Sequence, residues 1–416
     1  MSLAELPARE RHLHAVPAAE RKSDAATRQV RTEPLELLRS QRSSIKWTRY
    51  PDDVLPLFVA EMDYPLARPI VDALVRSVQA SDTGYIDGAG PIATAFADFA
   101  AERWGWTVDE RRIHVATDVS VGIVETLRIA LPPRPRVVVA PPVYPPFFEL
   151  TEEAGGSIVE APLAQLDGRW SLDLAALEAA FAAGADAFLL CNPHNPIGIA
   201  HDRATLDAVA RLAALYDVLV VSDEVHAPLA HSRAVFTPFA IPAAAAGARA
   251  VTVTSASKGW NLAGVKCAVV IAADERSAAD LARFPEEVAC RTSILGIQAG
   301  VTAFACTDWL DEVVELIEEN DALLADLLAQ RLPAVTYHRP DAGYLGWLDL
   351  RDLGLGDQPF LRILEEARVA FNDGAAFGRQ GAGFARINFA CAPDTLREAV
   401  RRIAALVARA AQPVSS

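Results

Sequence analysis

The sequence predicts an α/β protein, with a mainly parallel sheet sandwiched by helices and a smaller α+β domain beside it. Three observations predict this. The chain has 416 residues, more than one simple core absorbs and enough for two closely packed domains. Between about 84 and 300, short uninterrupted apolar runs alternate with amphipathic helical stretches. Strands that are apolar throughout belong to parallel sheets covered on both faces. The most distinctive polar segments also fall directly after those runs, at the carboxyl ends of strands, where open α/β sheets bind ligands.

Taken in order, residues 1–33 are rich in Arg, Glu and Ala and lack the apolar stretch of a secretory signal. They read as a flexible arm. Residues 34–83 are expected to join 308–416 in the small domain, and 84–307 form the large one. Strand candidates there are 137–140, 187–190, 218–221 and 250–254, with a helix at 204–216. A further helix is expected over about 123–131. Leu310, Val313, Val314, Ile317, Leu324, Leu327 and Leu328 recur at helical spacing and predict a long helix over 308–331. Strands are expected near 344–348 and 384–389, and a last amphipathic helix over 394–408.

Composition excludes several functions. Lys and Arg number 39 against 54 Asp and Glu, for a net charge of −15. That sign opposes binding to nucleic acid or to an anionic membrane surface. No run of 18 uncharged apolar residues is present, so no membrane span is expected. The five cysteines are scattered, odd in number and without a CxxC pair. Neither a disulfide framework nor a metal site is expected, and a reducing, cytoplasmic location fits.

Four segments carry chemistry. In Ser255-Ala256-Ser257-Lys258, a lysine follows a strand and two small hydroxyl residues. A Schiff-base lysine needs a partly desolvated site so that its free amine is available, and serines beside it suit a phosphate. Alone, the segment also reads as a loop lysine. Asp223, in Ser222-Asp223-Glu224-Val225-His226, ends an apolar strand where an unpaired carboxylate is costly. A protonated pyridine nitrogen would partner it; so would a helix start it caps. The turn Asn192-Pro193-His194-Asn195-Pro196 is stiffened by two X-Pro steps. Asn195 is placed there to donate to a phenolate oxygen, or the turn simply links strand to helix. Tyr144, held among prolines in Pro142 to Phe147, suits stacking on a planar ring or ordinary loop packing.

In this order, the four segments resemble fold type I pyridoxal 5′-phosphate (PLP) enzymes of the class I/II aminotransferase superfamily. Within it they are most similar to the bacterial cystathionine β-lyase (C–S lyase) subgroup, over about residues 45–410. The segments Ala60-Glu61-Met62-Asp63-Tyr64 and Ser255 to Cys267 share in the likeness. The resemblance implies that Lys258 holds PLP and acts as base. It implies that Asp223 pairs with the ring nitrogen, Asn195 holds the phenolate oxygen and Tyr144 stacks on the ring, with His226 beside the cofactor. Val119, Ser120, Ser255, Ser257 and Lys266 would bind the phosphate, the first two through a helix start. Tyr85 would reach the phosphate of a neighbouring subunit, which implies a homodimer with shared sites. Arg386 would clamp the substrate α-carboxylate, with Tyr64 and Asn195 also at the substrate.

Three departures from the aminotransferases stand out. Lys266 replaces the usual Arg, a point charge in place of a bidentate fork. Val119 replaces a common Gly. His226 replaces the usual Tyr, and Asp-Glu-Val-His is the C–S lyase form. The implied activity is β-elimination from a cysteine S-conjugate to pyruvate, ammonia and a thiol. A transaminase is the next reading, and a PLP-binding regulatory protein a third.

Overall fold

A computed structural model describes residues 30–411 apart from Asp167. Residues 1–29 of the expected arm lie outside the described residues. The arm's last residues are docked: Val30 is buried, and its N–H donates to Glu312 Oε2 at 3.0 Å. Glu312 belongs to the helix Thr307–Arg331.

The large sheet has seven strands. Across it, by first residue, they run Ile113, Ala268, Ala250, Leu219, Ala187, Arg136 and Ser157. Ala268–Ala272 is antiparallel to both neighbours; all the other pairings are parallel. Ala187–Cys191, Leu219–Asp223, Ala250–Thr254 and Ala268–Ala272 are buried at every position. Helices on both faces demand this, and it is why the strands read as continuous apolar runs.

The expected helix over 123–131 begins earlier, as Val119–Ala130. Asp118 causes the shift: its Oδ1 accepts from the Val121 N–H at 3.0 Å and caps the first turn. Val119 and Ser120, expected just ahead of the helix, lie in its first turn.

The smaller sheet is antiparallel, in the order Thr336–His338, Leu345–Asp349, Phe384–Asn388, Asn372–Asp373. The short strand Leu55–Pro56 pairs in parallel with Val369–Ala370. Helix Arg68–Gln79 instead packs on Ile294–Ala305, so the 34–83 segment touches both parts of the molecule. Thr307–Arg331 runs between them, and Pro393–Ala410 closes the chain's described part. One core cluster includes Tyr64, Phe96, Trp260, Leu310, Val369 and Leu396. Because interiors pack at near-crystalline density, this shared core holds the two sheets rigidly around the cleft between them.

Candidate active site

Strand ends build the site. Asp223 is the last residue of Leu219–Asp223, and in register it faces Cys191. The Asn192 N–H donates to the Asp223 carbonyl at 2.9 Å, tying the Asn192–Asn195 turn to that strand. Lys258 lies on the short helix Ala256–Gly259, just after Ala250–Thr254. Ser255 caps this helix, accepting from the Ser257 N–H at 3.1 Å. Arg386 comes from the other sheet, in the middle of Phe384–Asn388. All three side chains line one cavity of about 580 Å³.

The Lys258 amine donates to the Ala60 carbonyl at 3.0 Å. Burial, reinforced by the charge of Arg386, pulls its pKa down to about 8, so the free amine is accessible near neutrality. Among the described residues, the Asp223 side chain accepts a hydrogen bond only from the Val225 N–H, at 3.1 Å. Burial pushes its carboxyl up to about 6. A cationic ring nitrogen beside it would hold it ionised.

Arg386 donates through Nη1 to Asn195 Oδ1 at 3.0 Å. Through Nη2 it donates to the Phe58 carbonyl at 3.2 Å and to Asn372 Oδ1 at 2.7 Å. Its Nε is buried and has no partner among the described residues. Every acceptor is neutral, so a buried guanidinium is left without a counter-charge. Such a group is strongly unfavourable unless an anion completes it. Arg386 is therefore an anion site, fit for a carboxylate.

At the far end, Val119 and Ser120 present the start of helix Val119–Ala130 to the cavity. Lys266 Nζ pairs with Asp118 Oδ2 at 2.8 Å. Ser255 and Ser257 also line this end, the Ser255 hydroxyl donating to the Cys267 carbonyl at 2.6 Å. Tyr144 lines the wall, braced edge-on by Phe147 at 5.8 Å between centroids. His226 is buried, and desolvation with the charges of Lys258 and Arg386 pushes its pKa down to about 3. It is neutral at physiological pH.

Two expected residues stand apart. Tyr64 is packed in the core, with its hydroxyl accepting from Asn320 Nδ2 at 3.4 Å. It does not line the cavity, so the structure does not bring it together with the other residues expected at the substrate. Beyond Met62 the chain turns inward, held by Arg42 at the Tyr64 carbonyl at 3.0 Å, and the ring is buried behind the site. Tyr85 is 91% exposed and also lies outside the cavity within one chain.

The sequence reading missed the backbone of 58–62. Asn388 Nδ2 donates to the Val59 and Glu61 carbonyls at 2.6 and 2.7 Å. Tyr344 joins Lys258 on the Ala60 carbonyl at 3.0 Å. Asn261, in the left-handed region at φ 59°, brackets Met62: it accepts from its N–H and donates to its carbonyl, both at 2.9 Å. Backbone acceptors have no residue-type signature, so only the geometry reveals them. Arg49, Ile45 and Asn372 also line the cavity.

This sheet order, with a strand-end aspartate, a lysine after the next strand and an arginine on the small sheet, is the architecture of fold type I PLP enzymes. The chain belongs to the aminotransferase class I and II family, whose profile matches residues 52–403. Among its relatives, a Mycobacterium leprae protein provisionally named cystathionine beta-lyase is 45% identical over 398 residues, covering 89% of this chain and 97% of that one. The cystathionine beta-lyase of Corynebacterium glutamicum is 34% identical over 383 residues, covering 91% of this chain and 100% of its own. A crystal structure from Corynebacterium diphtheriae, provisionally a PLP-dependent beta-cystathionase, superposes with a TM-score of 0.84 at 35% identity, covering 91% of this chain and 99% of that one.

Proposed function

We propose that the chain is a PLP-dependent carbon–sulfur β-lyase. It cleaves cystathionine or a related cysteine S-conjugate to pyruvate, ammonia and a thiol. The observation that carries this is the meeting of Lys258, Asp223 and an uncompensated Arg386 in one cavity, in a chain similar to named lyases.

The residues fit the cofactor. A depressed lysine amine, a strand-end carboxylate with no ion-pair partner among the described residues, an aromatic wall and a helix start with Ser120, Ser255, Ser257 and Lys266 match its aldehyde, ring nitrogen, ring face and phosphate. When bound, PLP supplies an electron sink for the bond pair released at the substrate α-carbon. Asp223 keeps the ring nitrogen protonated. Arg386 would hold the α-carboxylate, and Asn195, whose Oδ1 accepts from Arg386, would hold the ring's phenolate oxygen. The Lys258 amine, held against Ala60, takes the α-proton. His226 is neutral and buried, so it offers no ready proton to the leaving group. Thiolate departs without a strong general acid, which is why a sulfur leaving group suits this site.

We further propose a cytoplasmic homodimer with shared sites. An exposed Tyr85 outside its own cavity supports sharing, and five free cysteines suit a reducing compartment. The test of the activity is turnover of cystathionine with no keto acid present. Steady release of pyruvate, ammonia and thiol is expected. Product that appears only with a keto acid acceptor, matched by a new amino acid, would make the enzyme a transaminase, the reading that family membership favours next.

A further inference from the structure

Four lysine or arginine side chains line the cavity: Arg49, Lys258, Lys266 and Arg386. The proposed reaction gives three of them an occupation. Lys258 carries the cofactor, Lys266 lies at the phosphate end and Arg386 takes the α-carboxylate. Arg49 is left over. It is exposed, and among the described residues no carboxylate pairs with it. Its guanidinium lies 5.8 Å from the Phe58 ring centroid, and the carbonyl of that same Phe58 accepts from Arg386. The two arginines thus flank a single residue, Arg386 deep and Arg49 at the mouth.

Arg49 is also firmly placed. It follows the short helix Ile45–Thr48, whose Lys46 and Trp47 are buried. Lys46 Nζ donates to the Glu61 carbonyl at 2.9 Å and pairs with buried Asp63. Trp47 Nε1 donates to Glu61 Oε1 at 3.1 Å. The Arg49 N–H donates to the Ile45 carbonyl at 3.2 Å. The helix is fixed against the 58–62 segment and turns Ile45 and Arg49 toward the cavity. An apolar residue and a free guanidinium at the mouth suit an apolar chain that ends in an anion.

We infer that Arg49 binds a second carboxylate, at the far end of the substrate side chain, and that Ile45 packs on the methylene or thioether stretch before it. The preferred substrates are cysteine S-conjugates with a distal carboxylate. This rests on the lyase reading above and deepens it.

The holoenzyme is tested with S-(2-carboxyethyl)-L-cysteine and S-propyl-L-cysteine, matched in length and differing in the terminal charge. Wild type should show a KM about two- to fivefold lower for the carboxylate conjugate, the modest figure reflecting an exposed ion pair. Arg49→Gln should raise that KM alone and erase the preference, with kcat and the KM for the propyl conjugate unchanged. Arg49→Lys should keep part of it. A wild type without preference, a preference that survives Arg49→Gln, or an equal rise in both KM values would overturn the inference. If neither conjugate yields pyruvate, the lyase reading fails. The inference is then decided by binding of L-2-aminoadipate against L-norleucine, followed by the cofactor absorbance. Tighter aminoadipate binding that Arg49→Gln abolishes upholds it; equal binding, or a difference the variant keeps, overturns it.

Discussion

The amine of Lys258 is hydrogen-bonded at 3.0 Å to the backbone carbonyl of Ala60, 198 positions earlier in the chain. Tyr344 donates to the same oxygen from the small sheet. One carbonyl therefore joins the large-domain lysine loop, the 58–62 segment and the small sheet. The bond aims the amine into the cleft between the sheets without supplying a counter-charge, so desolvation still lowers its pKa.

Lys258→Ala should abolish both turnover and the visible band of the lysine-bound cofactor. Borohydride reduction of the wild-type holoenzyme followed by peptide mapping checks the assignment. The label belongs on Lys258; finding it on another lysine would refute the site.

Arg386→Ala should raise KM for amino acid substrates by about 10- to 100-fold, from the loss of charge-assisted hydrogen bonds of about 1.5–3 kcal/mol. Asn195 and Asn372 lose a shared donor in the same change, so kcat should fall as well. Steady-state kinetics at saturating cofactor separates the two effects. Unchanged kinetics would mean that the carboxylate is held elsewhere.

Much of this was legible before any coordinates. Strands buried on both faces announce themselves as apolar runs, so 187–190, 218–221 and 250–254 were read within a residue or two. Asp223 and Lys258 were legible because polar residues at the ends of such strands are conspicuous. The start of the helix at Val119 was not, because the capping power of Asp118 depends on a backbone turn that its residue type only permits. Nor was Tyr64: the Ala60–Tyr64 segment belongs to the site, but its contribution is carbonyls, and the tyrosine ring points into the core. Arg49 was missed because one arginine after a short helix looks like any surface cation until Phe58 is placed beneath it.

Tyr85 is the residue on which site sharing depends. Chains carrying Lys258→Ala and chains carrying Tyr85→Ala should each be inactive or crippled alone. If Tyr85 serves the neighbouring site, a hybrid dimer collects both defects in one site and leaves the other intact. Mixing should then restore up to about half the wild-type activity per hybrid dimer, from simple counting of intact sites in a two-fold assembly. The check is activity after co-refolding, with hybrids quantified by differently tagged chains. Hybrids that form without recovering activity would rule out sharing through Tyr85.

Glu224, next to Asp223, gives the last prediction. It is fully buried, and its Oε1 accepts from the Ser222 hydroxyl and the Phe239 N–H, both at 2.8 Å. Its Oε2 and the nearby Asn192 Oδ1 are both buried oxygens without a hydrogen-bond partner among the described residues. A proton on Oε2 would satisfy both at once, since a protonated carboxyl donates where a carboxylate cannot. Burial pushes the Glu224 pKa up to about 8, which keeps that proton in place at neutral pH. The raised folded pKa means that the native state holds a proton the unfolded chain releases above about 4.5. The stability Glu224 contributes is therefore full below the unfolded pKa and is lost as pH rises through the folded one. Glu224→Gln provides a permanent N–H donor toward Asn192 and should fold normally. Denaturant unfolding of both proteins from pH 5 to 9 should show the difference moving in favour of the glutamine variant as pH rises. The buried histidines and other distant titrating groups are common to the two proteins and cancel; Asp223, whose charge acts on Glu224, does not, and the comparison is therefore repeated in an Asp223→Asn background. A difference constant across that range would mean that Glu224 is already ionised in the folded protein and that the Asn192–Glu224 contact needs another donor.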